Sequence, residues 1–509
     1  MTVMDDKRMG VRTWGMFIGG EFVDSVGGEV DEIINPASGD VIGIVPRGTA
    51  ADVDRAVDAA KRALPAWLET TPGERALILL RMADVLEANI EDIGAVESAN
   101  AGKPKLQSQH DLELCVDALR YFAGAARHLD GIAAGEYMAG YTSYVRREPI
   151  GIVGGIAPWN YPMAMAIFKF VPALAAGNVQ ITKPSEQTPL SLLRFMELIA
   201  DIVPAGVLNV VTGFGQPVGQ RLVEHPEVGF VSLTGDINTG RTIAAEGAAT
   251  LTRTHLELGG KAPVLVFDDA DLAAAKEVFK VASFYNAGQD CTAACRIIAG
   301  PKVFDKVVAD LVESAESIRI GDPTKDPDLD LGSLISRKQQ ERVLGFLNRA
   351  QDAGAQILTG GHTSGPGYDD RGCFVSPTVV VNVGQEHEIV QREVFGPVAT
   401  VQRASSVEEA FDWANATRYG LSASAFTENH SLAMQAAKRL QFGTVWINDH
   451  WLASPELPHG GFKDSGYGKD LSKYGFEDYT QIKQVTHRIG SSVWSAGTAG
   501  LTNEGRRNR

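Results

Sequence analysis

The sequence predicts an α/β protein with two parallel sheets, each covered by helices on both faces. Three observations carry this. From residue 150, short apolar, β-branched runs (150–156, 179–182, 207–211, 230–233) alternate with helical stretches at 191–202 and 218–224. A second set of such runs follows at 263–267, 296–299, 379–383, 398–402 and 444–448. The chain has 509 residues, 44% of them hydrophobic, enough for two or three domains with their own cores.

Taken in order, residues 1–14 read as a loose start and 16–23 as a strand ending in a turn. Residues 51–125 read as helical. Ala56, Ala59, Ala60 and Ala63 share one face, and Ala76, Leu77, Leu79, Leu80 and Met82 follow with charges between them. Segments 141–147 and 479–488 read as flanking strands outside both sheets. Residues 495–509 are polar and small, and are expected to be disordered.

The net charge of -16 argues against a nucleic-acid partner and would not hinder a cationic substrate. No apolar run is long enough to cross a membrane, and Met1 to Gly10 has no apolar signal core. Cys115, Cys291, Cys295 and Cys373 are too scattered for a disulfide framework, and no Cys/His cluster has metal-site spacing. The expected compartment is the reducing cytoplasm, with no bound metal.

The most informative stretch is Phe284 to Arg296. It sets Cys291 in a short polar segment after Gly288, where a nucleophilic thiol can be exposed. A thiolate adds to an aldehyde carbonyl, so a base, an oxyanion donor and a nicotinamide site would narrow the chemistry to aldehyde oxidation through a thioester. Asp290 beside it would raise the thiol pKa unless its side chain points away.

Candidates for the other parts exist. Glu257, in Leu256-Glu257-Leu258-Gly259-Gly260-Lys261, reads as a carboxylate in an apolar setting, suited to a general base, or as the exposed face of a strand. Asn160, in Pro158-Trp159-Asn160-Tyr161-Pro162, is an amide donor for an oxyanion or a turn residue before proline. Gly213 to Gly219 is a G-x-G-x-x-x-G turn between strand and helix, and Gly235 to Gly240 is another. Each is a phosphate turn or simply a tight connection. Lys183 and Glu186 end a strand where ligands of parallel sheets bind, and are ribose contacts or surface charge.

Together these stretches resemble the NAD(P)-dependent aldehyde dehydrogenase superfamily over about residues 14–490. The motifs in order are Pro158-Trp159-Asn160, Leu256 to Lys261, Gly288-Gln289-Asp290-Cys291 and Glu393-Val394-Phe395-Gly396-Pro397. The resemblance implies Cys291 as nucleophile, Asn160 and the Cys291 N–H as oxyanion hole, and Glu257 as base. It implies NAD as cofactor, with Lys183 and Glu186 at the adenosine ribose, Glu393 at the nicotinamide ribose, and Phe395 and Trp159 near the ring. Gly215 and Gly235 of the two turns join the cofactor set. Asp236 stands where many members carry Ser. Its carboxylate would repel a pyrophosphate, though as a helix N-cap turned aside it would be harmless, so no phosphate contact is assigned to it.

The resemblance also implies a Rossmann-like cofactor domain (1–131 and 150–258), an α/β catalytic domain (259–477) and a small β oligomerisation domain (132–149 and 478–493) serving a homotetramer, with 494–509 as a tail. Within the superfamily, 123–127, 288–296, 458–461 and 466–470 are most similar to bacterial γ-aminobutyraldehyde dehydrogenases.

A cationic aldehyde has a physical argument of its own. Asp111, Glu113, Asp117 and Asp290 are acidic, and Glu113 and Asp117 share a helical face, from which Asp111 diverges unless the helix starts after it. Trp451, Tyr161 and Phe168 could hold an ammonium or its alkyl stem. The acids are otherwise a solvated face. The competing readings are a betaine-aldehyde or uncharged-aldehyde dehydrogenase, a coenzyme-A-linked acylating enzyme, and a non-catalytic relative used for structure or binding.

Overall fold

The computed structural model describes residues 11–490. The expectations for residues 1–10 and for the tail from 491 onward lie outside the described residues.

The first sheet has five parallel strands at its heart, in spatial order Arg253–Leu258, Val228–Gly235, Ile152–Ile156, Val179–Lys183 and Leu208–Val210. The chain enters at Ile152–Ile156, runs out to Leu208–Val210, then returns to the opposite side. That reversal leaves a crevice beyond the carboxyl ends of Ile152–Ile156 and Val228–Gly235, where parallel sheets bind ligands. Antiparallel edges close the sheet: Met16–Ile18 with Glu21–Val23 on one side, Gly466–Tyr467 on the other. Segment 16–23 is thus a hairpin, not one strand. Nor is the start loose up to residue 14, because Trp14 is buried and its N–H donates to Ile44 O at 2.8 Å.

The helical stretch 51–125 divides into four helices. Ala50–Leu68 and Pro72–Ala88 begin with capping boxes, Thr49 with Asp52 and Thr71 with Glu74. Ile90–Ala101 ends at left-handed Gly102, and Lys105–Ala125 follows. The Ala56, Ala59 and Ala60 face is buried against the sheet, as the periodicity predicts.

The second sheet has the order Gln356–Thr359, Thr378–Val381, Val398–Arg403, Arg296–Ala299, Pro263–Val266, Ser422–Phe426 and Thr444–Ile447, parallel except at the first pair. Ser422–Phe426 escapes sequence reading because Ser-Ala-Ser-Ala-Phe has no β-branched residue; burial on both faces between two neighbours makes it a strand. The hairpin Val30–Ile34 with Val41–Pro46 also goes unpredicted.

The two flanking strands do pair. Thr480–Arg488 lies antiparallel to Tyr141–Pro149, with Gly135–Met138 beyond, in a three-stranded sheet apart from the others. Most of its Thr480–Arg488 strand is exposed, including Ile482.

Candidate active site

A cavity of about 950 Å³ lies at the crevice of the first sheet and is closed by loops of the second. Cys291, Glu257 and Asn160 all line it.

Cys291 arrives there by a strained turn. Asn286, Ala287 and Gly288 are all left-handed, with φ of 50°, 54° and 66°. Two non-glycine residues in that region cost about 1–2 kcal/mol each, a strain held by neighbours. Asn286 Nδ2 donates to Asn160 O at 2.8 Å, Gln289 Oε1 accepts from Ile335 N at 2.9 Å, and His450 Nε2 bonds Thr292 O at 2.7 Å. His450 was not legible as a site residue; it acts on the backbone of the nucleophile's loop. Cys295 does not line the cavity. Burial first, then the charges of Asp290, Glu257 and Glu393, push the Cys291 thiol well above its ordinary value. The resting sulfur is therefore a neutral thiol that needs a base.

Asn160 follows the strand Ile152–Ile156 by four residues. Its Nδ2 donates to Gln289 O at 2.9 Å, which leaves the second N–H of the amide for a ligand in the cavity. Glu257 sits in the strand Arg253–Leu258 and is 2% exposed, so the alternative of an exposed strand face fails: the His459–Gly460 segment packs against its carboxylate. Its Oε1 has no hydrogen-bond partner among the described residues. Burial, then Asp470, raises the carboxyl well above the ordinary range, against Lys169 and Lys469. The glycines after it have a packing reason. A Cβ on Gly260 would overlap the Cys291 carbonyl, and one on Gly259 would overlap Glu393.

Trp159, Glu186, Gly235, Glu393 and Phe395 also line the cavity. Glu393 Oε1 accepts from Gly260 N at 2.8 Å, and burial pushes its carboxyl up to about 7. Trp159 and Phe395 meet edge to face, 5.3 Å between ring centroids, with Phe395 at φ 60°. Two members of the expected cofactor set stand outside the lining. Gly215 is exposed at the start of the turn Gly215–Gly219, and Lys183 is buried with its Nζ on Pro184 O at 2.9 Å and 3.6 Å from Glu186. The Gly215–Gly219 turn packs beside Lys183, Gly219 facing its stem. Asp236 is an N-cap: its Oδ1 accepts from Asn238 N at 2.7 Å, which satisfies the amide a phosphate would otherwise use.

One part of the cavity lining is aromatic. Tyr161 and Phe168 reach it from one face of Pro162–Ala176 and its N-cap, opposite Trp451. Trp446, at the end of the strand Thr444–Ile447, lines it too and was not predicted. The acidic ring does not form as expected. The helix Lys105–Ala125 starts before Asp111, so Glu113 and Asp117 point to solvent while Asp111 faces inward. Both inward acids are already partnered. Asp111 Oδ2 accepts from Lys103 Nζ at 2.7 Å, with Tyr285 OH on its other oxygen. Asp290 accepts from Tyr161 OH at 2.7 Å, Trp451 Nε1 at 2.8 Å and Thr292 N at 2.7 Å. Lys103, another unpredicted residue, also stacks over the Tyr161 ring at 4.6 Å. Asp290 thus organises aromatic side chains and the Cys291 loop. Burial, partly offset by Lys103, pushes the Asp111 carboxyl up to about 6.

The model of the aldehyde dehydrogenase family matches residues 22–485. An aldehyde dehydrogenase of Emericella nidulans is 40% identical over 484 residues, covering 94% of this chain and 96% of that protein. The crystal structure of a putative aldehyde dehydrogenase from Burkholderia cenocepacia superposes with a TM-score of 0.92 at 42% identity, covering 94% of this chain and 98% of that one. A betaine aldehyde dehydrogenase from Staphylococcus aureus, solved in complex with NAD+, superposes with a TM-score of 0.92 at 35% identity, covering 95% and 96%.

Proposed function

The chain belongs to the aldehyde dehydrogenase family, and we propose that it oxidises an aldehyde to the carboxylate with NAD as the hydride acceptor. The reading rests on one observation: a thiol, a buried carboxylate without a full set of partners and an amide with a spare N–H line one cavity. A non-catalytic relative would have no need of all three.

In this reading Cys291 Sγ bonds the aldehyde carbon while Glu257 removes its proton. A base is required because the thiol is held neutral. The carbonyl electron pair moves to oxygen, which Asn160 Nδ2 and the Cys291 N–H receive. When bound, NAD supplies the hydride acceptor that converts the thiohemiacetal on Cys291 to a thioester. Glu257 gives up that first proton before hydrolysis, then takes one proton from water as the water oxygen bonds the thioester carbon; the C–S bond breaks and the sulfur takes up the second water proton.

The residues present fit a dinucleotide. Carboxylates Glu186 and Glu393 can accept hydrogen bonds from ribose hydroxyls, the buried hydroxyl of Thr234 has no partner among the described residues and lines the cavity, and Trp159 and Phe395 frame a flat ring. Lys183 would support Glu186 from behind. This assigns cofactor binding to the first sheet (1–131 and 150–258) and the nucleophile to the second (259–477). The exposed apolar residues Ile482, Tyr137 and Met138 of the third sheet suit coverage by another copy of the chain in a homotetramer, read by light scattering.

For the substrate we favour an ω-aminoaldehyde such as 4-aminobutanal. Asp111 and Asp290 lie in the aromatic part of the cavity among Tyr161, Phe168, Trp446 and Trp451, where a cation gains both charge and ring faces. A second reading, betaine aldehyde or an uncharged aldehyde, draws on the internal neutralisation of Asp111 by Lys103. NAD reduction across a panel of charged and uncharged aldehydes, with and without coenzyme A, tests both readings and the acylating alternative together.

A further inference from the structure

The loop Pro458 to Gly461 presses on Glu257 from the side of the cavity. A Cβ on Gly460 would overlap Glu257 Oε1. His459 is anchored through its backbone in both directions: its N–H donates to Asp470 O at 2.9 Å, and Asp470 N–H to His459 O at 2.8 Å. That pairing aims the imidazole at the carboxylate. His459 Nε2 lies 3.6 Å from Glu257 Oε2, a small side-chain rotation or one water short of a hydrogen bond. The imidazole is 22% exposed and lines the cavity, whereas the Glu257 side chain is 3% exposed.

We propose that His459 is the proton outlet of Glu257. The inference rests on the hydrolytic reading above and adds the route by which the proton leaves. As water adds to the Cys291 thioester, its oxygen bonds the carbonyl carbon and one O–H proton moves to Glu257. The C–S bond breaks with its electron pair on sulfur, which takes up a proton to restore the thiol. Each turnover of hydrolysis yields a carboxylate and one excess proton. That proton moves from Glu257 to His459 Nε2, and leaves for solvent from the exposed side of the ring. Without such an outlet, Glu257 would retain the proton and could not activate the next water.

Burial holds the imidazole below its ordinary value, while burial and Asp470 hold Glu257 above its own. The other charges facing His459 are Asp470 and Asp290, which favour its protonated form, and Lys469 and Lys169, which oppose it. Lys169 is paired with Asp470 at 3.1 Å, and Lys469 Nζ rests on the carbonyls of Gly460 and Gly461. His255, also near Asp470, is held down to about 4 by burial and stays neutral. His459 is therefore the imidazole that both touches Glu257 and reaches the cavity.

The test uses the full-length enzyme with His459→Ala and His459→Gln. Both should keep the first-turnover NADH burst, because formation of the thioester does not need the outlet. Steady-state turnover near pH 7 should fall about tenfold or more, with KM for NAD unchanged. The acid limb of kcat should move to higher pH, because nothing shares the proton with Glu257. Added imidazole should restore turnover to His459→Ala in a saturable way but not to His459→Gln. A wild-type-like pH profile and no rescue would overturn the proposal. If the alanine variant does not fold, the burst and pH profile of His459→Gln decide alone. Absence of aldehyde oxidation in the wild-type enzyme would instead defeat the underlying functional reading.

Discussion

The side-chain amide of Asn160 donates to the backbone carbonyl of Gln289 at 2.9 Å, across 129 residues of sequence. This bond ties the loop after the first strand of one sheet to the loop that carries Cys291 before a strand of the other. Asn286 returns the contact through Asn160 O. The donor proposed for the oxyanion and the nucleophile that creates it are therefore held by one rigid junction.

Asn160→Ala should lower kcat about 10²–10³-fold, the usual loss for one oxyanion donor. The thermal midpoint should fall as well, because the junction loses a buried hydrogen bond. Steady-state kinetics with a melting curve separate the two effects. A stable variant with unchanged kcat would remove Asn160 from the oxyanion site.

Cys291→Ala should abolish turnover while NAD still binds, and mass spectrometry of iodoacetamide-treated enzyme should find Cys291 as the residue whose alkylation tracks inactivation. Alkylation of Cys295 tracking with inactivation would overturn the assignment. Glu257→Gln should lose about 10²–10⁴-fold in turnover. The NADH burst should be lost with it, because Glu257 also takes the thiol proton; a retained burst followed by slow hydrolysis would confine its role to the second half-reaction.

NAD should be preferred over NADP. Glu186, partly exposed at the cavity, would accept the ribose hydroxyls and repel a 2′-phosphate, while Lys183 at 3.6 Å only partly offsets its charge. Glu186→Gln should shift the ratio of catalytic efficiencies toward NADP. A ratio that favours NADP in the wild type, or one that the variant leaves in place, counts against this contact.

4-Aminobutanal should outperform butanal, chiefly through KM, and the advantage should shrink with salt. A desolvated ammonium over an indole gains about 2 kcal/mol, which corresponds to a factor near thirty. The advantage should also depend on pH. Asp111 has a pKa pushed up to about 6, so its charge is present above that pH and lost as pH falls through it. KM for the aminoaldehyde should rise below about pH 6, more than KM for butanal. Parallel pH profiles for the two, with no salt effect, would favour the uncharged-aldehyde reading.

Much of this was legible because it was local. The β-branched runs mark most of the parallel strands within a residue or two, since strands buried on both faces favour them. Glu257 between leucines and before a glycine pair reads as a carboxylate in an apolar setting, and it is buried. Ser422–Phe426, Trp446, His450 and Lys103 were not legible. Their roles come from the tertiary neighbours that folding gives them, and nothing in their own flanks announces them.

The sequence by itself determined the α/β class and the main helical stretches, and singled out the thiol, amide and carboxylate that the fold brings to one cavity, because periodicity and residue chemistry are local properties. Tertiary structure decided which charges are free to act. Asp111 and Asp290 look like open acids in the sequence, yet folding supplies Lys103, Tyr161, Trp451 and Thr292 as partners, so that any cation in the cavity must share their charge with those groups. His459 looks like an ordinary loop residue, yet its pairing with Asp470 brings its ring to 3.6 Å from Glu257. The reason is physical: a buried charge is defined by its partners, and partners are set by the packing of distant segments.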